Sequence, residues 1–166
     1  LHSLLIPASE PLNLAYVLNE QCHSVDVHDS FFDSLREDYG GERFDQWFEE
    51  KCARGQRSCW TVRQDGKLLA LCVYKHEDSE IIDDEGFSPK YKMLKLCTFK
   101  VSPDLYGSKV GERLFFRVFQ HAKQYSLGFV YFTARENKQA QLLNLALDFG
   151  FEKYGYDSSF GDRVVG

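Results

Sequence analysis

The sequence predicts an α+β domain in which an antiparallel sheet is followed by a β-α-β unit. Two strand patterns joined by Asp65-Gly66 indicate the antiparallel part, because this dipeptide favours a two-residue hairpin. Residues 95–113 indicate the β-α-β unit, since an alternating strand pattern ends at Pro103 and helical spacing follows Gly111. The predicted order, β-α-α-α-β-β-β-α-β-α-β, gives a mixed, mostly antiparallel sheet of about six strands flanked by helices.

Three helices are predicted before the hairpin, after a short strand at residues 4–6. Pro11 fits the first turn of a helix, and the apolar positions that follow it continue to Leu18. Aromatic residues recur at helical spacing in the next two predicted helices, at 29–39 and 43–53, and favour packing in a core. The remaining predicted elements are strands at 58–63, 67–76, from about 91 to 101, at 129–134 and ending near 156, and helices at 112–125 and 138–149.

The composition indicates a single globular domain that spans residues 1–166. Hydrophobic residues make up 43% and charged residues 27% of the chain, which excludes a disordered protein. No apolar run approaches the roughly 20 residues needed to cross a bilayer, and the apolar start is too short for a signal peptide. We therefore expect a cytoplasmic protein without membrane contact. Because the sequence begins with Leu1 and shows no obvious stop at its end, we also expect a domain excised from a longer chain.

The cysteine pattern argues against a metal site and against a disulfide framework. The five cysteines stand alone at positions 22, 52, 59, 72 and 97, form no C-x-x-C pair and are odd in number. The five histidines show no metal spacing either. We interpret the cysteines in the strand patterns as small core residues.

The charge is distributed unevenly along the chain. Residues 1–88 contain 8 Lys and Arg against 18 Asp and Glu, a net charge of −10, whereas residues 89–166 contain 12 against 7, a net charge of +5. The basic half suits an anionic cofactor, and the acidic half suits a cationic acceptor or partner, unless the charges only cover solvated faces. The overall acidic balance argues against nucleic acid as the main ligand of this domain.

The loop between the central strand and the next helix has the features of a phosphate site. It is short and contains Gly107, Ser108 and Gly111. A short loop that enters a helix places backbone N–H groups and the positive end of the helix dipole around one point, which favours an anion. An ordinary strand-to-helix connection is the alternative.

This loop resembles motif A of the GNAT superfamily of N-acetyltransferases, in which it holds the pyrophosphate of acetyl-coenzyme A. Two positions depart from the motif, because Tyr106 stands where Arg or Gln is usual and Lys109 replaces the first glycine of the core. Lys109 either contacts phosphate or is a solvated loop residue, and its Cβ adds strain if the turn needs a positive φ. The matching residues are Val101, Pro103, Gly107, Val110 and Gly111.

Residues 129–151 resemble motif B of the same family. They combine a strand, Asn137, Ala140 three residues later, a helix and Gly150-Phe151. In the family this Asn often contacts the cofactor, and here it is also a candidate helix N-cap. The two motifs together place the resemblance over residues 60–156.

The resemblance implies a GNAT fold whose central strands splay apart around the pantetheine arm of acetyl-coenzyme A, the acyl donor, with no metal. It implies that an amine, on a small molecule or a protein, accepts the acetyl group. The strand end pairs with the arm, the loop amides hold the pyrophosphate, and Asn137 adds a contact. The predicted cofactor-binding residues are Phe99, Lys100, Val101, Tyr106, Gly107, Ser108, Lys109, Val110, Gly111, Glu112 and Asn137.

The catalytic groups are less defined by the sequence. His76 and Glu77, at the end of the third sheet strand, are candidate general bases. The acid of the family is usually a Tyr on the motif B helix, but the matching position here is Asn144 or Ala146. Two tyrosines of the last strand are candidate substitutes, with packing in the sheet as the alternative: Tyr154 and Tyr156.

Two functions follow from the sequence. The first is an acetyl-coenzyme A dependent N-acetyltransferase that acts on a primary amine. The second is a degenerate GNAT module that binds acyl-coenzyme A or a protein partner without turnover inside a larger protein. The early FDQWF helix resembles that of GNAT modules fused to other domains in bacterial proteins, and a homodimer is left open.

Overall fold

The computed structural model describes residues 17–103, 109–135, 139–157 and 162–166. The predicted strand at 4–6 and most of the first predicted helix lie outside these residues. The prediction that this helix continues to Leu18 is wrong, because Leu18–Gln21 is strand β1 and pairs with the following strand. The apolar spacing before Leu18 suggested a helix, but main-chain pairing at the sheet edge decides the conformation of this segment.

Among the described residues, seven strands form one sheet in the order β1-β2-β3-β4-β5-β7-β6. The β4–β5 pair is parallel and every other neighbouring pair is antiparallel, which confirms the predicted mixed, mostly antiparallel sheet. The seventh strand, Asp162–Val165, was not predicted, because four residues carry too little alternation to identify a strand. The strands after β1 are β2 (Ser58–Gln64), β3 (Lys67–Glu77), β4 (Met93–Val101), β5 (Phe129–Ala134), β6 (Lys153–Asp157) and β7 (Asp162–Val165).

The predicted hairpin is formed by β2 and β3. Asp65 and Gly66 have φ angles of 52° and 78°, as a two-residue turn with both central residues in the left-handed region requires. The following run of β3, Leu68 to Tyr74, is buried at every position because helices cover both faces of the sheet there.

Four α-helices of the described residues lie on the two faces of the sheet. They are α1 (Asp33–Tyr39), α2 (Glu42–Trp47), which continues as a π-helical turn to Ala53, α3 (Val110–Gln124) and α4 (Ala140–Asp148). Helices α1 and α2 pack through Phe32, Phe44 and Phe48 against one face of the sheet. Helices α3 and α4 pack against the opposite face around the buried ring of Phe115.

The feature that positions the site is the separation of β4 from β5. Their parallel pairing includes only three positions, the last of which joins Lys95 to Tyr131. Beyond that pair β4 continues to Val101, so six residue steps, or ~20 Å, of its edge have no strand partner on that side. On its other edge β4 has a bulge at Cys97, since Leu96 pairs with Tyr74 and Thr98 with Val73.

Candidate active site

A cleft of about 600 Å³ lies where β4 and β5 have separated. Its walls are the end of β4, the first turn of α3, the first half of α4 and residues Ser34, Leu35 and Asp38 of α1. The predicted cofactor residues that the structure describes all line this cleft: Phe99, Lys100, Val101, Lys109, Val110, Gly111 and Glu112. The other four, Tyr106, Gly107, Ser108 and Asn137, lie outside the described residues.

The two lysines of the cleft differ in their freedom to move. Lys100 donates a hydrogen bond to the carbonyl of Phe31, and its ammonium lies 4.6 Å from the Phe31 ring. Burial lowers the pKa of Lys100. Lys109 has an exposed side chain and stands at the N-terminus of α3 with φ 65° and ψ 17°, a strained left-handed conformation for a residue with a Cβ. Lys109 is therefore the cation better placed to meet a phosphate.

We predict that Lys109→Ala weakens coenzyme A binding about fivefold, or ~1 kcal/mol, and flattens its salt dependence, because a charge-assisted contact is lost. Calorimetry at two salt concentrations measures both effects. Lys109→Gly removes the same ammonium and relieves the backbone strain, so it should raise the free energy of unfolding by up to about 1 kcal/mol relative to Lys109→Ala. Pantetheine, which lacks the phosphates, is the control ligand. An equal loss of affinity for pantetheine would show that the substitution acts through the loop backbone and not through a phosphate contact.

A strap of side chains lies beside the cleft, which Asp38 and Gln139 line. The guanidinium of Arg135, just after β5, lies 4.7 Å from the Tyr39 ring and donates a 2.6 Å hydrogen bond to the carbonyl of Asp38. The Tyr39 hydroxyl donates to Oε1 of Gln139 at 3.3 Å. The strap ties α1 to the segment that enters α4. Sequence reasoning missed it, because its partners stand about a hundred residues apart.

Glu77 ends β3, and its side chain reaches Tyr131 of the last β4–β5 pair, where the unpaired edge of β4 begins. The Lys75 ammonium is 2.7 Å from Oε2 of Glu77, and the Tyr131 hydroxyl donates to its Oε1. Burial acts to raise the pKa of Glu77, but the hydrogen bonds from Lys75 and Tyr131 outweigh it and lower the pKa. Burial and the neighbouring carboxylate raise the pKa of Tyr131. The result at neutral pH is an ionised carboxylate beside a neutral phenol, next to the last β4–β5 pair.

His76, the other candidate base, is not part of this group. Strand alternation directs its ring to the α3 face, where its Nε2 lies 2.8 Å from Nε2 of His121. One of these nitrogens donates and the other accepts, so at least one ring is neutral. Burial, followed by the charges of His76 and Arg117, lowers the pKa of His121 to about 4. Of the two predicted bases, the structure therefore brings Glu77 to the point of strand separation.

We predict that acidification destabilises the protein through His121. An unfolded histidine, with a pKa near 6.5, binds a proton between pH 6.5 and 4, whereas folded His121 stays neutral down to pH about 4. Neutral His121 contributes its full stabilisation above pH 6.5. As the pH falls from 6.5 to 4, the free energy of unfolding therefore decreases by at most about 3 kcal/mol. Urea unfolding from pH 7 to 4 measures it. His121→Phe should flatten this part of the profile, and an unchanged slope would contradict the assignment.

Tyr154 packs among aromatic rings rather than along the cleft. Its ring stacks on Phe87 at 4.8 Å and meets the edge of Phe129 at 5.8 Å. Nothing is described of the Tyr156 side chain. On α4, Asn144 is exposed and Ala146 is fully buried in the core, so neither offers a hydroxyl to the cleft.

Comparison with known proteins decides the family. The sequence model of the acetyltransferase (GNAT) family matches residues 25–151, well over half of the chain. The chain belongs to the GNAT family. It is therefore a transferase, and the order of its elements is the GNAT fold. No curated protein was found to match this GNAT sequence.

Solved GNAT structures share this fold at low sequence identity. The ribosomal-protein-alanine N-acetyltransferase of Brucella melitensis biovar Abortus has 15% identity and a TM-score of 0.57, over 81% of this chain and 89% of that one. The PaiA N-acetyltransferase of Thermoplasma acidophilum in complex with coenzyme A has 13% identity and a TM-score of 0.58, over 90% and 97%. A predicted acetyltransferase of Clostridium acetobutylicum, solved with acetyl-CoA, has 12% identity and a TM-score of 0.60, over 84% and 90%.

The described residues contain neither a membrane-spanning helix nor a cluster of metal-ligating side chains. Within residues 17–103, 109–135, 139–157 and 162–166, no helix is long and apolar enough to cross a membrane. The same part of the GNAT domain holds no group of three or more His, Cys, Asp or Glu residues suited to a metal ion.

Proposed function

We propose that this GNAT protein transfers the acetyl group of acetyl-coenzyme A to a primary amine. The observation that carries the proposal is the position of Glu77 and Tyr131 at the start of the gap that opens into the cleft. A donor bound with its phosphates at the first turn of α3 and its arm along the free edge of β4 brings its thioester toward that pair.

The proposed reaction needs a neutral amine and a place for one proton. The amine nitrogen attacks the thioester carbon, the C–N bond forms, and the C–S bond breaks to release the coenzyme thiolate. The amine proton passes to the oxygen of Tyr131 while the tyrosine proton passes to the carboxylate of Glu77 along their existing hydrogen bond. Because the pKa of Glu77 is lowered, the carboxylate is ionised and ready to accept that proton at neutral pH. The thiolate takes its proton from solvent.

The cofactor residues of the proposal are those that line the cleft, together with Tyr106, Gly107, Ser108 and Asn137 of the sequence motifs. Calorimetry with acetyl-coenzyme A, run beside a transfer screen against a library of primary amines, tests the proposal. Binding at micromolar affinity with transfer to at least one class of amine is the expected result. Binding without any transfer would instead support the degenerate module. The position where the family has its tyrosine is Asn144 or Ala146 here, which is consistent with that module. No binding at all would overturn the transferase and the module that binds acyl-coenzyme A, and would leave only a module that binds a protein partner.

The two tyrosines of β6 are tested in the same assay. We expect Tyr154→Phe to change turnover by less than about threefold, because its ring packs on Phe87 and Phe129 and a phenylalanine preserves that packing. Tyr156→Phe, the same change at the other tyrosine of β6, is measured beside it. A loss of roughly 10²-fold in either one, with unchanged coenzyme A binding, would identify that hydroxyl as the general acid and would contradict protonation of the thiolate by solvent.

A further inference from the structure

Three cationic side chains form a row across the face of the sheet that carries α1 and α2. Lys75 of β3 pairs directly with Lys95 of β4, and Lys95 pairs with Tyr131 of β5. Arg57 immediately precedes Ser58, which pairs with Tyr74, so Arg57 stands beside Lys75 at the start of β2. We call Arg57, Lys75 and Lys95 the cationic row.

The cationic row has more positive charge than its protein neighbours neutralise. Lys75 is paired with Glu77 at 2.7 Å. Across the described part of the chain, neither Arg57 nor Lys95 has a carboxylate within 4.0 Å. Arg57 instead donates to Sγ of Cys97 at 3.3 Å and lies 5.9 Å from the Trp47 ring, and the Lys95 ammonium lies 5.9 Å from the Tyr131 ring.

This arrangement is unfavourable without a counter-ion. Like charges directly opposite each other on neighbouring strands destabilise a sheet, and Lys75 and Lys95 are direct partners. The side chains of the row are only partly exposed, so water screens them less than it would on an open surface. A sheet that places two lysines directly opposite each other, one of them without a carboxylate partner, departs from this preference, and such departures concentrate at functional sites.

The cationic row ends at Lys95, beside the point where β4 and β5 separate. The long side chain of Arg57 crosses β3 to reach Cys97, two residues beyond Lys95 on β4. The Cys97 thiol lies within range of the positive charges of all three members of the row, although burial dominates and raises its pKa to about 11. Lys95 is one strand, or ~5 Å, from Tyr131. An anion bound at Lys95 therefore lies one strand away from Tyr131, the proposed relay to Glu77.

We infer that the acceptor amine carries an anionic oxygen group, a carboxylate or a phosphate, which Arg57 and Lys95 bind while the amine faces Tyr131 and Glu77. This inference rests on the proposed function and gives its acceptor a chemical class. The charges of such a molecule match the site at both ends, with the anion on the two cations and the amine at the carboxylate. The planar guanidinium, which lies 5.9 Å from the centre of the Trp47 ring, suits the two oxygens of a carboxylate. The cationic acceptor suggested by the acidic half of the sequence is thereby replaced by a zwitterionic one.

Matched pairs of amines test the inference by acetyl transfer. The pairs are 4-aminobutyrate against butylamine, and phosphoethanolamine against ethanolamine, so that the arms separate carboxylate from phosphate. We expect kcat/KM to be at least about tenfold higher for the anionic member of one pair, with the difference mainly in KM. Lys95→Gln and Arg57→Gln should each reduce that ratio at least about fivefold. Lys67→Gln, which changes an exposed lysine at the start of β3, is the matched control and should leave that ratio unchanged. Equal rates within both pairs, or a ratio that does not respond to either variant, would overturn the inference.

A second measurement separates this inference from the proposed function. Thermal unfolding in sodium malonate is compared with sodium chloride at equal ionic strength, for the native protein, Lys95→Gln and Lys67→Gln. We expect malonate to raise the Tm of the native protein and of Lys67→Gln, and to leave Lys95→Gln unshifted. If no amine is acetylated but the shift depends on Lys95, the proposed function fails and the anion site stands. If no amine is acetylated and malonate gives no such shift, the anion site is overturned as well.

Discussion

Glu77→Gln is expected to lower turnover by about 10²-fold while coenzyme A binding stays within about twofold. The amide oxygen can still accept the hydrogen bond from Tyr131, but it cannot take up a proton at neutral pH. Binding is preserved because Glu77 lies at the start of the β4–β5 gap, whereas the first turn of α3 lies at its other end. Steady-state kinetics with an identified acceptor, together with calorimetry for the cofactor, measure the two quantities separately.

His76→Gln is the matched control for Glu77→Gln, because it makes the same change in the adjacent residue, whose side chain lies on the opposite face of the strand. That variant loses the hydrogen bond to His121 but leaves the pair of Glu77 and Tyr131 in place, so turnover should stay within about twofold. Tyr131→Phe removes the proposed relay and should approach the loss seen for Glu77→Gln. Full turnover in Glu77→Gln, or a large loss in His76→Gln, would show that the base lies elsewhere.

Gly111→Asp is expected to weaken acetyl-coenzyme A binding at least about tenfold, or ~1.4 kcal/mol. Gly111 is in the first turn of α3 and lines the cleft, so the new carboxylate would stand where the pyrophosphate is proposed to bind. A Cβ at this position would also lie 2.7 Å from Cδ2 of Leu145 on α4, which must then move. Calorimetry measures the affinity, and thermal unfolding shows whether the variant remains folded.

Gly111→Ala separates the charge from the crowding. It introduces the same Cβ against Leu145 without a carboxylate, and the end of a leucine side chain can shift by a rotamer change. We expect its affinity for acetyl-coenzyme A to fall by less than about threefold. Equal losses for Ala and Asp would show that the contact between α3 and α4, and not an anion site, explains the effect.

The local elements of the fold were largely predictable from the sequence. The strand Phe129–Ala134 was predicted with its observed bounds, and the β2–β3 hairpin follows from Asp65-Gly66. The start of α3 is also local, since apolar spacing after Lys109 defines its buried face. Such features depend on residues that are near one another in the chain, so turn chemistry and periodicity encode them directly.

The candidate site was only partly predictable for the same reason. The loop residues of the cleft were recognised as a set, because motif A is continuous in the chain. Tyr131 was not recognised, since nothing in its own strand distinguishes it from the neighbouring aromatic residues until Glu77 lies against it. Lys75 and Lys95 likewise look like ordinary strand lysines in the sequence, and only the strand register shows that they are direct partners.

The sequence by itself therefore determined the fold class, the family and the segment, at the start of α3, that we propose as an anion site. The tertiary structure alone decided which candidate base reaches the gap, because adjacent residues of a strand face opposite sides and only packing shows which side holds the site. It also decided where β4 and β5 part and which side chains meet there. Strand register joins residues that lie tens of positions apart, such as Glu77 and Tyr131, and no periodicity along the chain records that pairing.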